Sequence, residues 1–389
     1  MHILILTDRD WDHPQTGGTG VHLTGSIDHW LEWGHEVTVI AGGYEGAAGF
    51  ETDGRLTVHR LGDRVTVLPH TLARGLAGRV PKADVTLEVI NGICWMTPLW
   101  HRGPCVSLIH HVHKSMYVDE MGGRGRLAAW ALETFPLQTI YRRRRFITVS
   151  EATKAEVVAG HGIDPDRVEV VYNGIDADGF SPGPDALEPT MIYLGRLKAY
   201  KRIERLFDVL ESVDGLRLDV VGDGDRRPFL EDEVARRGIG ERVEFHGHVD
   251  NARKAELLSR AWLAASASSA EGWSLSTVEA AASGTPTVAY PVGGLTESII
   301  HGETGLLAED GRSFIDATRL LVEDRDLRAR LGAGARARAR SLSWSASARR
   351  TLSVLAQSAG LPVAAGDEPA APGAIGEGPT EEVGLVTGA

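Results

Sequence analysis

Short β-branched runs alternate with longer amphipathic stretches along this chain, and they do so twice, on either side of a single break. That alternation is the pattern of βαβ units, hence of parallel sheets with helices on their faces. In the first half it predicts strands at His2–Thr7, Glu36–Ala41, Leu56–Leu61, Val85–Ile90, Val106–His110, Phe146–Val149 and Val168–Tyr172. The stretch Val21–Trp33 puts Leu23, Ile27, Trp30 and Leu31 on one helical face and stops at Gly34. Residues 173–190 then read NGIDADGFSPGPDALEPT, a Gly, Pro and Asp composition that marks a linker.

A second series follows, with strands expected at Met191–Leu194, Leu216–Val221, Val243–Phe245, Ala261–Ser266 and Thr285–Ala289. Its helices are expected at Lys201–Val213, Pro228–Arg236, Ala252–Arg260 and Leu275–Ala282. The fold class is therefore α/β, with two doubly wound Rossmann-like domains, 1–173 and 190–342, facing across a cleft. A linker spans 174–189, a helix over 343–358 is placed to reach back to the first domain, and a tail occupies 359–389. Open α/β sheets bind ligands at the carboxyl ends of their strands, so the cleft is where function is sought.

Composition narrows the function classes. The 389 residues suit two or three domains, and 42% hydrophobic with 24% charged residues is the balance of a globular protein in water. The apolar runs HILILT, EVTVIAGG and CVSLIHH fall short of the roughly 18 residues that span a bilayer. MHILILTDRD lacks the basic start and long apolar stretch of a secretory signal and reads as a first strand. Two cysteines, Cys94 and Cys105, are too few for a disulfide framework, and a cytoplasmic location is expected. A net charge of -12 argues against nucleic acid as a partner. Five of those negative charges lie in residues 361–389, which hold no Lys or Arg and sixteen Gly, Ala or Pro; this tail is expected to be disordered.

The strongest chemical signal is AASASSAEGWSLSTVEAAASGTPTVAYPVGGLTE, from Ala264 to Glu297. A strand runs into a loop with Glu271 and Gly272, and the loop feeds a helix that carries Glu279. The free amides of a helix start, here Trp273, Ser274, Leu275 and Ser276, form an anion site suited to a diphosphate. Glu279, one turn on, has the bidentate carboxylate that two ribose hydroxyls require. Both acids would equally serve as partners of the helix dipole. A second signal lies where MIYLG ends in Arg196, with Lys201 five residues on. An Arg fork and a Lys point charge at a strand's carboxyl edge fit an incoming diphosphate, or a solvated face.

The loop HPQTGGTG is no dinucleotide fingerprint, because Leu23 stands where a third glycine is due; Gly17 and Gly18 still allow a ligand close to the backbone. In HHVH, strand alternation would put His111 and His113 on one face and His110 on the other. Histidines there can bond substrate hydroxyls or a main-chain carbonyl, and the spacing is poor for zinc. The Asp-x-Asp pairs support no metal site, and none is expected. Arg142–Arg145 is a basic run suited to anionic lipid at the membrane's inner face, to a phosphorylated acceptor, or to a solvated helix end.

With these residues the chain resembles the retaining nucleotide-sugar glycosyltransferases of family four, which have the two-domain GT-B fold. Two glutamates with a seven-residue spacer, Glu271 and Glu279, carry the resemblance, with Gly284, Pro286, Gly293, Gly294 and Glu297 following. GRLKAYK, YNGID, VGDG and FHGHV add to it. The resemblance implies that Arg196 and Lys201 hold the donor diphosphate, with Gly18 and Gly222 beside it. Glu279 would hold the ribose, the backbone near Val249 the base, and Glu271 the sugar hydroxyls, with Gly272 through Leu275 completing the loop. It implies a histidine six residues after Pro104, which is His110, rather than His111 or His113. It further implies retention by front-face attack, with no metal and no cofactor. Ser274 and Arg202 stand where the family commonly has glycine.

The expected reaction is transfer of a hexose or N-acetylhexosamine from a UDP- or GDP-sugar to a hydroxyl on a small molecule, lipid or glycan. A nucleotide-sugar 2-epimerase and a nucleotide-sugar-binding protein without turnover are the alternatives. First-domain loops Asp8–Gly20, Pro69–Lys82 and His110–Gly125 would bind the acceptor, with Trp11, His111, His113 and Tyr117 as candidate contacts.

Overall fold

A computed structural model describes residues 1–113, 117 and 123–362. The part of the expected tail beyond residue 362, and of the acceptor loop at 114–116 and 118–122, lies outside the described residues.

Eight strands build the first sheet: β1 (His2–Leu6), β2 (Glu36–Ala41), β3 (Phe50–Asp53), β4 (Leu56–Arg60), β5 (Val85–Ile90), β6 (Cys105–Ile109), β7 (Arg145–Thr148) and β8 (Val168–Val170). Their order is β3-β4-β2-β1-β5-β6-β7-β8, and every pair is parallel except β3 with β4. In β1, Ile3 aligns with Val37 on one side and Val85 on the other. A central parallel strand is covered on both faces, which is why β1 is apolar from Ile3 to Leu6. Ile3 and Ile5 pack on one face with Leu23, Ile27 and Trp30; Leu4 and Leu6 pack on the other with Ile40 and Ile90.

Six strands build the second sheet: β9 (Thr190–Leu194), β10 (Arg217–Val221), β11 (Val243–Gly247), β12 (Leu263–Ser266), β13 (Thr287–Ala289) and β14 (Gly305–Leu307). Their order is β11-β10-β9-β12-β13-β14, all parallel. The chain crosses the sheet's midline between β9 and β12, and β9 delivers Arg196 at that switch point. The helix Trp344–Ala359 packs on the first domain, where the Trp30 indole donates to the Ala348 carbonyl at 3.0 Å. A Cβ on Gly25 would lie 2.4 Å from the Trp344 ring, so glycine makes room for that crossing. One apolar cluster takes residues from both halves, Val89 and Val171 together with Trp273 and Val278.

Several boundaries differ from the sequence reading. Strand β6 stops at Ile109, so His110 starts the loop rather than ending the strand. Residues 261 and 285 stay with the preceding helices: the Ala261 amide donates to the Leu257 carbonyl, and the Thr285 amide to the Ala280 carbonyl. The helix expected from Lys201 begins at Glu204, because Ala199–Lys201 is a 3-10 turn closed by Arg202 at φ 49°. The first helix starts earlier than Val21, at Gly18.

Candidate active site

The rim of the second sheet gathers the cations. Gly222, at φ 127°, lets the β10 loop approach the β9 loop; a Cβ there would lie 2.0 Å from the Gly195 carbonyl oxygen. Beyond Gly195, Arg196 is exposed, with Nη2 3.5 Å from the Tyr200 hydroxyl. Lys201 Nζ donates to Glu271 Oε1, which also accepts from the Ser268 hydroxyl at 3.0 Å. Burial acts to lower the Lys201 pKa, but the charge of Glu271, aided by Tyr200 and Tyr193, outweighs it and the net shift is upward. The Lys201 ammonium is therefore a fixed charge at neutral pH.

The Glu271 loop is where the halves meet. A Cβ on Gly272 would lie 1.8 Å from the His110 carbonyl oxygen, so only glycine fits under that loop. The Gly294 amide donates to the Glu271 carbonyl at 2.8 Å, fixing the loop from below. Trp273 is buried and stacks on Tyr172, with centroids 4.7 Å apart. Ser274 takes φ 75° before the helix Leu275–Ala282, and its hydroxyl lies 2.8 Å from that of Thr277. Across the cleft, Gly17 and Gly18 begin the helix Gly18–Glu32. Cβ positions built on them fall 3.7 Å from Arg196 Nε and 3.5 Å from Leu275 Cδ1 respectively. Two helix starts thus face each other with Arg196 between them, an arrangement that favours an anion.

Glu279 meets a cation that sequence reasoning missed. Lys254, from the helix Asn251–Arg260, donates to its carboxylate at 2.5 Å. Burial raises the Glu279 pKa and Lys254 opposes that rise. Val249 follows the left-handed Gly247 at the end of β11 and packs against the shared core.

The histidines divide into two pairs. His110 lies edge-on to His22 with centroids 5.0 Å apart, while His111 and His113 lie 4.0 Å apart. Both ring nitrogens of buried His110 are without a hydrogen-bond partner among the described residues. Burial pushes its pKa well below the usual imidazole value, and His22, His113 and Arg9 push the same way. His111 is depressed by burial, then by His113, His110, Arg196 and Lys201, so it feels the donor-side cations. Both rings are neutral at pH 7. His113 donates its amide to buried Glu133 at 3.0 Å, and His22 Nδ1 lies 2.6 Å from Asn173 Oδ1.

On the first domain a pocket opens among Asp8, Arg64, Leu68, Asn91 and Trp95. Asp8 accepts from Asn91 at 2.7 Å and from Arg64 at 3.0 Å. Tyr117 donates to the Gly92 carbonyl at 3.1 Å, and Trp11 is half-buried against the core. Arg64 and Asn91 carried no sequence signal, since neither belongs to a spaced motif. Of the basic run, Arg142 and Arg143 are exposed, whereas Arg144 donates to the His101 carbonyl and Arg145 to Gln357. Asp219, Glu244 and His246 are close enough to share a metal ion, but they lie on β10 and β11, not at the Lys201 rim.

Residues 16–178 match the model of Glycosyltransferase Family 4, and residues 175–338 that of Glycosyl transferases group 1. The chain is 30% identical over 339 residues to an uncharacterised glycosyltransferase of Methanocaldococcus jannaschii, covering 79% of this chain and 84% of that protein. The structure of a sucrose-phosphate synthase from Thermosynechococcus elongatus superposes with a TM-score of 0.78 at 20% identity, covering 92% of this chain and 98% of that one. An Anabaena protein in complex with UDP-glucose superposes with a TM-score of 0.72 at 18% identity, covering 92% and 100%.

Proposed function

The chain is a family-four glycosyltransferase with the GT-B fold, and from that premise we propose that it transfers a hexose or N-acetylhexosamine from a UDP- or GDP-sugar to an acceptor hydroxyl, with retention. The observation that carries this reading is the Arg196–Lys201–Glu271 group at the β9 rim, facing the Gly18 helix start. In it, Arg196, Lys201 and the Gly18 amide receive the diphosphate and the charge that develops as it leaves. Glu271 takes the hydroxyls of the transferred sugar, and Glu279 exchanges Lys254 for the ribose.

Neutral His110 accepts or donates a hydrogen bond to the sugar without adding charge. Front-face attack lets the departing phosphate accept the acceptor's proton, so neither a metal nor a cofactor is required. The pocket at Asp8, Asn91 and Trp95 offers polar and apolar contact together, which suits a hydroxyl on an apolar or glycosidic body. A UDP-glucose complex in a structural neighbour supports the donor class.

The test is incubation with a panel of nucleotide sugars with and without candidate acceptors, following nucleoside diphosphate release and the anomeric configuration of the product. A 2-epimerase would release free sugar without any acceptor. A pure binding protein would release no diphosphate.

A further inference from the structure

Residues 123–139 form one continuous helical stretch whose middle is not α-helical. Gly123–Ala129 is α-helix, Trp130–Thr134 is a π-helical turn, and Phe135–Thr139 is α-helix again. The Phe135 amide donates to the Trp130 carbonyl, the i to i+5 bond of a π turn. In an α-helix a residue five positions on lies about 140° round the axis, on another face. The wider π turn brings Phe135 back beneath Trp130, and their rings stand 5.3 Å apart. Such turns are uncommon and concentrate at functional sites.

What the turn assembles is an apolar face held in water. Leu127 is 69% exposed, Trp130 51% and Phe135 44%. Arg124 and Arg126 on the same stretch are exposed, and so are Arg142 and Arg143 on the turn that follows. From residue 123 to 145 the chain holds six arginines and one acid, Glu133. That acid is buried and turned inward, where its carboxylate accepts the His113 amide. A basic stretch carrying exposed Trp, Leu and Phe is out of character in a chain of net charge -12. Its chemistry matches the headgroup zone of an anionic bilayer, where Trp and Phe settle and arginine pairs with phosphate.

We propose that Leu127, Trp130 and Phe135 insert into the headgroup layer of an anionic membrane, with Arg124 and Arg126 beside them on its surface. The same π turn reaches inward through Glu133 to His113, on the acceptor side of the cleft. Membrane seating therefore delivers the first-domain pocket to acceptors that sit in a bilayer. That last step rests on the glycosyltransfer reading; membrane binding itself does not.

The experiment is co-sedimentation of the full chain, without donor, with vesicles of phosphatidylglycerol and phosphatidylcholine against pure phosphatidylcholine. Binding to the anionic vesicles is expected, weakening as salt is raised. Replacing Leu127, Trp130 and Phe135 together by Ser should lower the partition coefficient at least tenfold. Arg124→Gln with Arg126→Gln should lower it by about fivefold per arginine. Leu187→Ser with Leu320→Ser, exposed apolar residues of the other half, should leave it unchanged. Thermal unfolding of each variant checks that it folds. Equal binding to neutral vesicles, or undiminished binding by both the apolar and the arginine variants, would overturn the proposal. So would self-association abolished by the triple substitution in a protein that ignores vesicles, which would give the face to a second copy of the chain. Because no donor is present, loss of glycosyltransfer and loss of membrane binding are read separately.

Discussion

The Glu297 carboxylate, in the second domain, accepts the backbone amide of Glu151 at 2.8 Å, at the start of a first-domain helix. It accepts the next amide, of Ala152, at 2.8 Å and the Tyr172 hydroxyl at 3.0 Å. A carboxylate from one domain thus caps a helix of the other, where the dipole favours negative charge. Glu297→Ala removes charge-assisted bonds that are partly open to solvent, and should cost about 1–2 kcal/mol of stability by urea denaturation. It should also raise the donor KM more than it lowers kcat, because the lost contact sets the closure of the cleft rather than its chemistry. Glu297→Gln, which keeps the acceptor oxygen but not the charge, should fall between the two; equal effects in both variants would remove the dipole from the account.

Lys201 and Glu271 form a largely enclosed ion pair at the β9 rim, each 12% exposed at its side chain. Removing one partner leaves the other's charge uncompensated, so Lys201→Met should cost about 3 kcal/mol of stability and about 100-fold or more in kcat/KM. The double variant Lys201→Met with Glu271→Gln has no stranded charge. It should recover most of the stability in denaturation and none of the activity in a diphosphate-release assay. Recovery of both would make the pair structural only.

The architecture was legible because buried parallel strands such as HILIL and EVTVIA leave a near-continuous apolar record. Strand β3 left none: all four residues of FETD are exposed, so no burial pattern marks it, and its antiparallel pairing comes from the turn before β4. The loop with Glu271 and Glu279 was readable because its residues are local. The partner of Glu279 was not, since Lys254 looks like any lysine on an amphipathic helix until the fold brings it across. Glu297 belongs to a recognisable run, but its contact with Glu151 spans 146 residues and has no local signature. His22 was hidden for the same reason, being an ordinary helix residue until it meets His110 and Asn173.

Three buried imidazoles give the fold an acid limit. Burial lowers the pKa of His22, His110 and His111 below the unfolded value of about 6.5. Below that pH the unfolded chain binds protons that the folded chain does not, so stability rises with pH and is lost as pH falls through 6.5. Between pH 6.5 and 5.5 His110 and His111, both held well below the usual value, should each take away about 1 kcal/mol, with His22 adding to the same slope. Chemical denaturation at several pH values should show that slope, and His111→Gln should make it shallower. An unchanged slope would mean that this ring gains protons in the folded protein.

Lys254 donates to the Glu279 carboxylate and opposes the burial that raises its pKa. Lys254→Met should therefore push the Glu279 pKa further up. If Glu279 binds ribose as a carboxylate, donor affinity in that variant should fall first at the acidic end, and the rise of donor KM on acidification should begin at a higher pH than in the parent. A pH-independent KM in the variant would separate Glu279 from donor binding. Glu279→Gln supplies the reference, with a donor KM that is raised at every pH.

Both positions where this chain lacks the glycine common in its family have left-handed backbone, Arg202 at φ 49° and Ser274 at φ 75°. A side chain there costs roughly 1–2 kcal/mol, partly offset because glycine would loosen the unfolded chain. The two sites differ in compensation. Ser274 is buried and its hydroxyl bonds that of Thr277 at 2.8 Å, so Ser274→Gly should be close to neutral in stability. Arg202 closes the 3-10 turn that holds Lys201, with no hydrogen bond from its side chain to a described residue, and Arg202→Gly should stabilise by about 0.5–1 kcal/mol. If the arginine is retained for its charge beside the diphosphate, the same variant should raise the donor KM several-fold, and raise it less at high salt. A stabilised variant with an unchanged KM would leave Arg202 without a role toward the donor.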